Sequence, residues 1–89
     1  MKRMRRSSRF VARTISDQTI LLPLLPGEEG KWLYEFNESA AYLWDQMTGN
    51  FTEAELVVKL TSRFAIDSEA GTEDVRAVLT DLKNLGAIE

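Results

Sequence analysis

The sequence predicts an α+β domain: a three-stranded antiparallel β-meander followed by three α-helices. Three observations carry this. Up to Phe36 the apolar residues fall in β-prone or alternating runs; beyond Asn37 they recur at helical spacing; and each helical stretch is preceded by an N-capping residue. The chain has 89 residues, 44% of them hydrophobic, which is enough for one small core with a stability on the order of 5 kcal/mol.

Phe10–Ile15 is rich in β-formers, and Ser16, Asp17 and Gln18 supply turn chemistry. Thr19–Leu25 is the second β-prone run. Pro23 lies within it and removes a ladder donor, so pairing is expected to break or bend nearby. Pro26–Gly30, with two glycines and nothing apolar, reads as a loop. Lys31–Phe36 alternates, with Trp32, Tyr34 and Phe36 on the inward face and Lys31, Leu33 and Glu35 on the other.

Asn37 caps the first helix, Glu38–Met47, which presents Ala40, Leu43, Trp44 and Met47 on one side and ends at Gly49. Thr52–Glu55 is a capping box, in which each side chain can satisfy the other residue's free backbone N–H. The helix it opens buries Leu56, Val57, Leu60 and Phe64. Thr72 is read as the cap of the last helix, with Val75, Val78, Leu79, Leu82 and Leu85 as its apolar stripe. Gly86 ends that helix, and Ile88 can fold back onto the core.

Composition excludes most chemistry. There is no Cys and no His, hence no disulfide, no thiolate or imidazole ligand, no thiol nucleophile and no Ser-His-Asp arrangement. No Gly-rich phosphate loop is present, so neither catalysis nor a bound cofactor or metal is expected. No apolar run approaches the roughly 20 residues that cross a bilayer, and no signal peptide is evident, so the chain reads as soluble and cytoplasmic with no membrane partner.

Charge is uneven. Residues 1–9 carry five bases and no acid, whereas the rest carries six bases against all fourteen acids. Residues 1–8 read as a flexible basic arm and residues 9–89 as the domain, because an arm without periodic apolar residues has nothing to dock. Strands joined to three short helices match the winged helix-turn-helix pattern, so a DNA-binding regulator has to be weighed. Neither outer helix face is basic: Arg76 and Lys83 stand among Glu73, Asp74 and Asp81, and Lys59 and Arg63 face Glu53 and Glu55. An acidic body repels DNA, so no nucleic-acid partner is expected. A structural dimer without a ligand is the other alternative.

The order of the residues carries more than their composition. Arg9–Arg13 followed by Ile20–Leu24, then Tyr34–Ala40 and Ala41–Trp44, resembles small proteins of the pyrroloquinoline quinone biosynthesis protein D family. Gly49 with Phe51–Leu56 resembles that family's Gly-x-x-Thr helix start. Glu73–Val75, Leu79, Leu82 and Leu85–Ile88 resemble its Asp-Val helix with a Leu-x-x-Leu-Gly end. The resemblance covers about Arg9 to Glu89 and departs at Phe36, where Leu is usual, at Gly71, and in a longer Pro26–Gly30 loop.

The resemblance implies a winged-helix-like peptide-recognition element without catalytic residues. Such a module holds the leader segment of a ribosomally made precursor while a partner enzyme, often a radical S-adenosylmethionine protein, modifies the core segment. On this reading the peptide adds a strand beside Lys31, Trp32, Leu33, Tyr34, Glu35 and Phe36. The other wall would be the last helix, through Val75, Arg76, Leu79 and Lys83. The Arg76–Leu79–Lys83 shoulder is expected to face the strand, since leader peptides of such systems often carry acidic residues. The edge strand could equally pair two copies, so monomer and homodimer both stay open.

Overall fold

The computed structural model describes residues 2–24 and 34–89. Its elements run β1 (Phe10–Ile15), β2 (Gln18–Pro23), β3 (Tyr34–Phe36), α1 (Glu38–Gln46), α2 (Glu53–Phe64) and α3 (Ser68–Leu85). The three strands form one antiparallel sheet in the order β1-β2-β3. This is the α+β meander-then-helices architecture expected from the sequence. The Pro26–Gly30 loop and the Lys31–Leu33 start of the third strand lie outside the described residues.

β1 and β2 are joined by a two-residue turn, Ser16–Asp17, with Ser16 at φ 56°. Pro23 does not interrupt their pairing. It sits opposite Phe10, and beyond it the Leu24 N–H still donates to the Arg9 carbonyl at 2.7 Å. Antiparallel partners alternate between hydrogen-bonded and non-hydrogen-bonded pairs, and Arg9–Leu24 is a bonded one. Pro23 therefore falls at a position whose nitrogen points away from β1, where proline removes no bond of that ladder.

Asn37 caps α1, its side chain accepting from the Ala40 N–H at 2.8 Å. The helix closes at Met47, whose N–H donates to the Trp44 carbonyl; Gly49 takes its positive φ in the following connection and is not the cap. At α2 the expected capping box is present: Thr52 accepts from the Glu55 N–H, and Glu55 accepts from the Thr52 N–H at 2.8 Å.

α3 begins earlier than Thr72. Asp67 is its cap, accepting from the Ala70 N–H at 2.8 Å, so Thr72 lies inside the helix and bonds back to the Ser68 carbonyl. A glycine directly before Thr72 has low helix propensity, so in sequence Thr72 looks like a helix start. Packing explains the glycine. A Cβ at residue 71 would stand 2.5 Å from Thr61 Cγ2, so its absence lets α3 press against α2. Gly86 ends α3 at φ 80°, a left-handed cap whose N–H reaches the Leu82 and Lys83 carbonyls.

The core gathers Leu21 and Phe36 from the sheet with Leu43, Trp44, Leu56, Leu60, Val75 and Leu82 from the helices, all at most 5% exposed. Two parts of the chain ends join it. Ile88 folds back as expected and is buried. Residues 2–8 are not a free arm. Met4 is 5% exposed and exchanges backbone bonds with Phe51 at 2.8 Å, Arg5 exchanges bonds with Glu89, and Ser7 donates to the Ala87 carbonyl. The apolar anchor is a single methionine, which forms no periodic pattern, and backbone pairing, which leaves no mark in the sequence, does the rest.

Candidate functional site

β3 is an edge strand of the sheet, and the C-terminal part of α3 reaches it at Tyr34. In register, Tyr34 lies opposite Leu21, Glu35 opposite Ile20, and Phe36 opposite Thr19. Since Gln18, Ile20, Leu22 and Leu24 direct their backbone polar groups to β1, Thr19 and Leu21 direct theirs to β3. Tyr34 and Phe36 are thus the hydrogen-bonded partners. The N–H and C=O of Glu35 point outward, toward the space an added strand would fill.

Side chains alternate as the pattern requires. Tyr34 and Phe36 share the inner face, 5.1 Å apart and edge to face, and Phe36 continues to Trp44 at 5.7 Å. Glu35 lies on the opposite face and accepts from the Gln18 amide at 2.8 Å. The Arg6 guanidinium stacks on Trp44, 4.5 Å from its centroid, and donates to the Trp44 carbonyl. An unbroken stack therefore runs from the N-terminal segment to Tyr34.

Tyr34 ends that stack by donating its hydroxyl to Asp81 Oδ2 of α3 at 3.0 Å. Burial, with the bond to Asp81 and that residue's negative charge, pushes the Tyr34 phenol up to about 12. Tyr34, Asp81, Asn84 and Leu85 line an open cleft of about 250 Å³ between β3 and α3. A second cleft, about 560 Å³, lies over the end of α1 beside Arg5, Arg6 and residues 47–50. Its cations have internal partners: Arg6 in Trp44, and Arg5 in Glu89 at 3.0 Å. Among the described residues no group of three or more acids stands close enough to hold a metal ion, and no helix is long and apolar enough to cross a membrane.

The structure brings together some of the expected site residues and separates others. Tyr34, Glu35 and Phe36 form the strand, while Lys31, Trp32 and Leu33 lie outside the described residues. Val75 and Leu79 are buried in the core, at 0% and 3% exposure, and do not line the cleft. The expected basic shoulder does not face β3. Arg76 pairs with Glu53 of α2 at 3.0 Å, and Asp81, from the acidic shoulder, meets Tyr34. The helical wheel separated the two shoulders correctly, but which of them meets the strand depends on how α3 rolls against the sheet. Asp81, Asn84 and Leu85 were missed for that reason. Leu85, half-buried at the stripe's end, was the one available signal.

Two solved structures share this fold. TbiB1 in complex with the TbiA(beta) leader peptide superposes at a TM-score of 0.76 with 21% identity, over 96% of this chain and 94% of that one. Lasso peptide synthetase B1 complexed with the leader peptide gives 0.75 and 21%, over 97% and 96%. No curated protein matches the sequence. The family model for coenzyme PQQ synthesis protein D matches residues 24–88, from the end of β2 through α3 to the refolded tail. With that match spanning most of the chain and the order of its elements, the protein belongs to the coenzyme PQQ synthesis protein D family.

Proposed function

We propose that this chain is a non-catalytic adaptor: it captures the leader segment of a ribosomally made precursor peptide as a fourth strand on β3 and presents it to a modifying enzyme. The observation that carries this is the outward-facing backbone of Glu35 on an edge strand walled by α3. An extended peptide satisfies that N–H and C=O and gains main-chain affinity, while side-chain pockets select its sequence. Two proteins of the same fold are described as complexes with leader peptides, which supports the reading. Tyr34, Glu35 and Phe36 supply the strand, and Lys31, Trp32 and Leu33 extend it on the sequence pattern.

The partner enzyme carries the chemistry. A radical S-adenosylmethionine enzyme, acting in the cytoplasm where the precursor is made, fits the family membership, and pyrroloquinoline quinone or a related modified peptide would be the product. Arg76 and Lys83, on the side of α3 away from β3, remain exposed for contact with that enzyme.

Replacing Glu35 with proline tests the site. The lost N–H belongs to no bond within the sheet, and proline is tolerated on edge strands, so the fold should persist. Peptides pulled down from the native cell extract and identified by mass spectrometry should bind wild type and Glu35→Ala alike, and Glu35→Pro at least about tenfold more weakly, roughly 1.4 kcal/mol. Equal binding by Glu35→Pro would remove β3 as the docking edge. Micromolar binding to arbitrary duplex DNA at physiological salt, with a steep salt slope, would favour a nucleic-acid role instead.

A further inference from the structure

We propose that the cleft beside β3 selects a basic side chain, Lys or Arg, in the bound leader. The proposal rests on the adaptor reading and adds which residue class the groove admits. Two walls of the cleft are apolar, the Tyr34 ring and Leu85, and its polar groups are the Asp81 carboxylate and the Asn84 side chain. Asp81 spends one oxygen on the Tyr34 hydroxyl, whereas a carboxylate offers about four acceptor sites. The phenol stays protonated far above neutral pH and so remains a donor to that carboxylate. Among the described residues no cation pairs with Asp81.

The surrounding charge has the same sign. At about 100° per residue, Asp74 lies two turns before Asp81 on nearly the same line of α3, and both are exposed. Arg76 and Lys83 are more than a third of a turn away around the helix, and Arg76 is held by Glu53. A long basic side chain suits this cleft: its methylene stem lies along Tyr34 and Leu85 while its head reaches Asp81 and Asn84. A leader carboxylate there would meet like charge, and a purely apolar side chain would strip water from Asp81 without replacing its bonds. Acidic leader anchors, expected when the basic shoulder was placed against the strand, are disfavoured by this geometry.

The test is selection of displayed random dodecapeptides against the full chain, in parallel with Asp81→Asn, Asp81→Lys and Glu35→Pro variants. Asp81 is exposed, so its variants should keep the wild-type melting profile. Wild type should select Lys or Arg at one position among apolar ones. Replacing that residue by Leu in the synthetic consensus peptide should weaken binding about fivefold, the scale of a partly exposed ion pair. Asp81→Asn should lose the preference, and Asp81→Lys should turn it toward Glu or Asp. Selected peptides that depend on the β3 edge but show no basic position, or the same basic position with Asp81→Lys, overturn the proposal and leave the adaptor reading standing. If wild type enriches no peptide, or binding ignores Glu35→Pro, the adaptor reading fails and takes the proposal with it.

Discussion

Tyr34 is where the sheet, the core and α3 meet, and it titrates accordingly. Its phenol is held at about 12 against an ordinary value of 10.0, chiefly by burial and then by the bond to Asp81. A raised folded-state value means that the neutral form is favoured by folding. The stabilisation is therefore complete below pH 10, and it is lost as pH rises from 10 through 12. Thermal melts across that window should show wild type losing stability more steeply than Tyr34→Phe, which has no phenol to ionise. Parallel curves would mean that the hydroxyl is fully solvated. Arg6 shows the same physics in a cation. Burial lowers its pKa, Asp45 partly offsets this, and its Nε has no hydrogen-bond partner. The stack on Trp44 and the bond to the Trp44 carbonyl hold it in place, an arrangement invisible in a run of basic residues.

Among the elements, the close approach of α2 and α3 turns on one missing methyl. Alanine at residue 71 would gain about 1 kcal/mol of helix propensity, but its Cβ would stand 2.5 Å from Thr61 Cγ2. Thr61 has little freedom to yield, because its hydroxyl is bonded to the Val57 carbonyl at 2.9 Å. Gly71→Ala should therefore destabilise by about 1–3 kcal/mol in urea denaturation. In a Thr61→Ser background, which removes the clashing methyl, the same change should become neutral or stabilising. The strand and helix assignments were legible in the sequence because alternation, caps and the capping box are local signals. The start of α3 was not: a glycine required by a neighbouring helix looks the same as a glycine that ends one. The roll of α3, which decides that Asp81 and not Arg76 meets Tyr34, is likewise set by packing between elements.

For the molecule as a whole, the N-terminal segment acts as a strap. Arg3 and Arg5 are engaged by the body, with Glu55 at 3.8 Å and Glu89 at 3.0 Å, and Met4 fills the core. The exposed ion pairs add little. The buried methionine and the backbone bonds add more, so deleting residues 1–8 should cost about 3 kcal/mol or more in urea denaturation. That is a large share of the roughly 5 kcal/mol expected of a domain this size. Because Arg6, Trp44, Phe36 and Tyr34 are stacked in series, the deletion should also raise amide exchange at β3. Unchanged stability would restore the view of a loose tail. That view failed because sequence periodicity detects amphipathic elements, whereas this segment is held by one side chain and by pairing with Phe51, Ala87 and Glu89.

That pairing has a practical corollary. Arg5 and Glu89 face each other as antiparallel neighbours, so the polypeptide enters and leaves the fold at one place, about one strand spacing apart. A module with that geometry can be spliced into a surface loop of a larger protein without prising the host open.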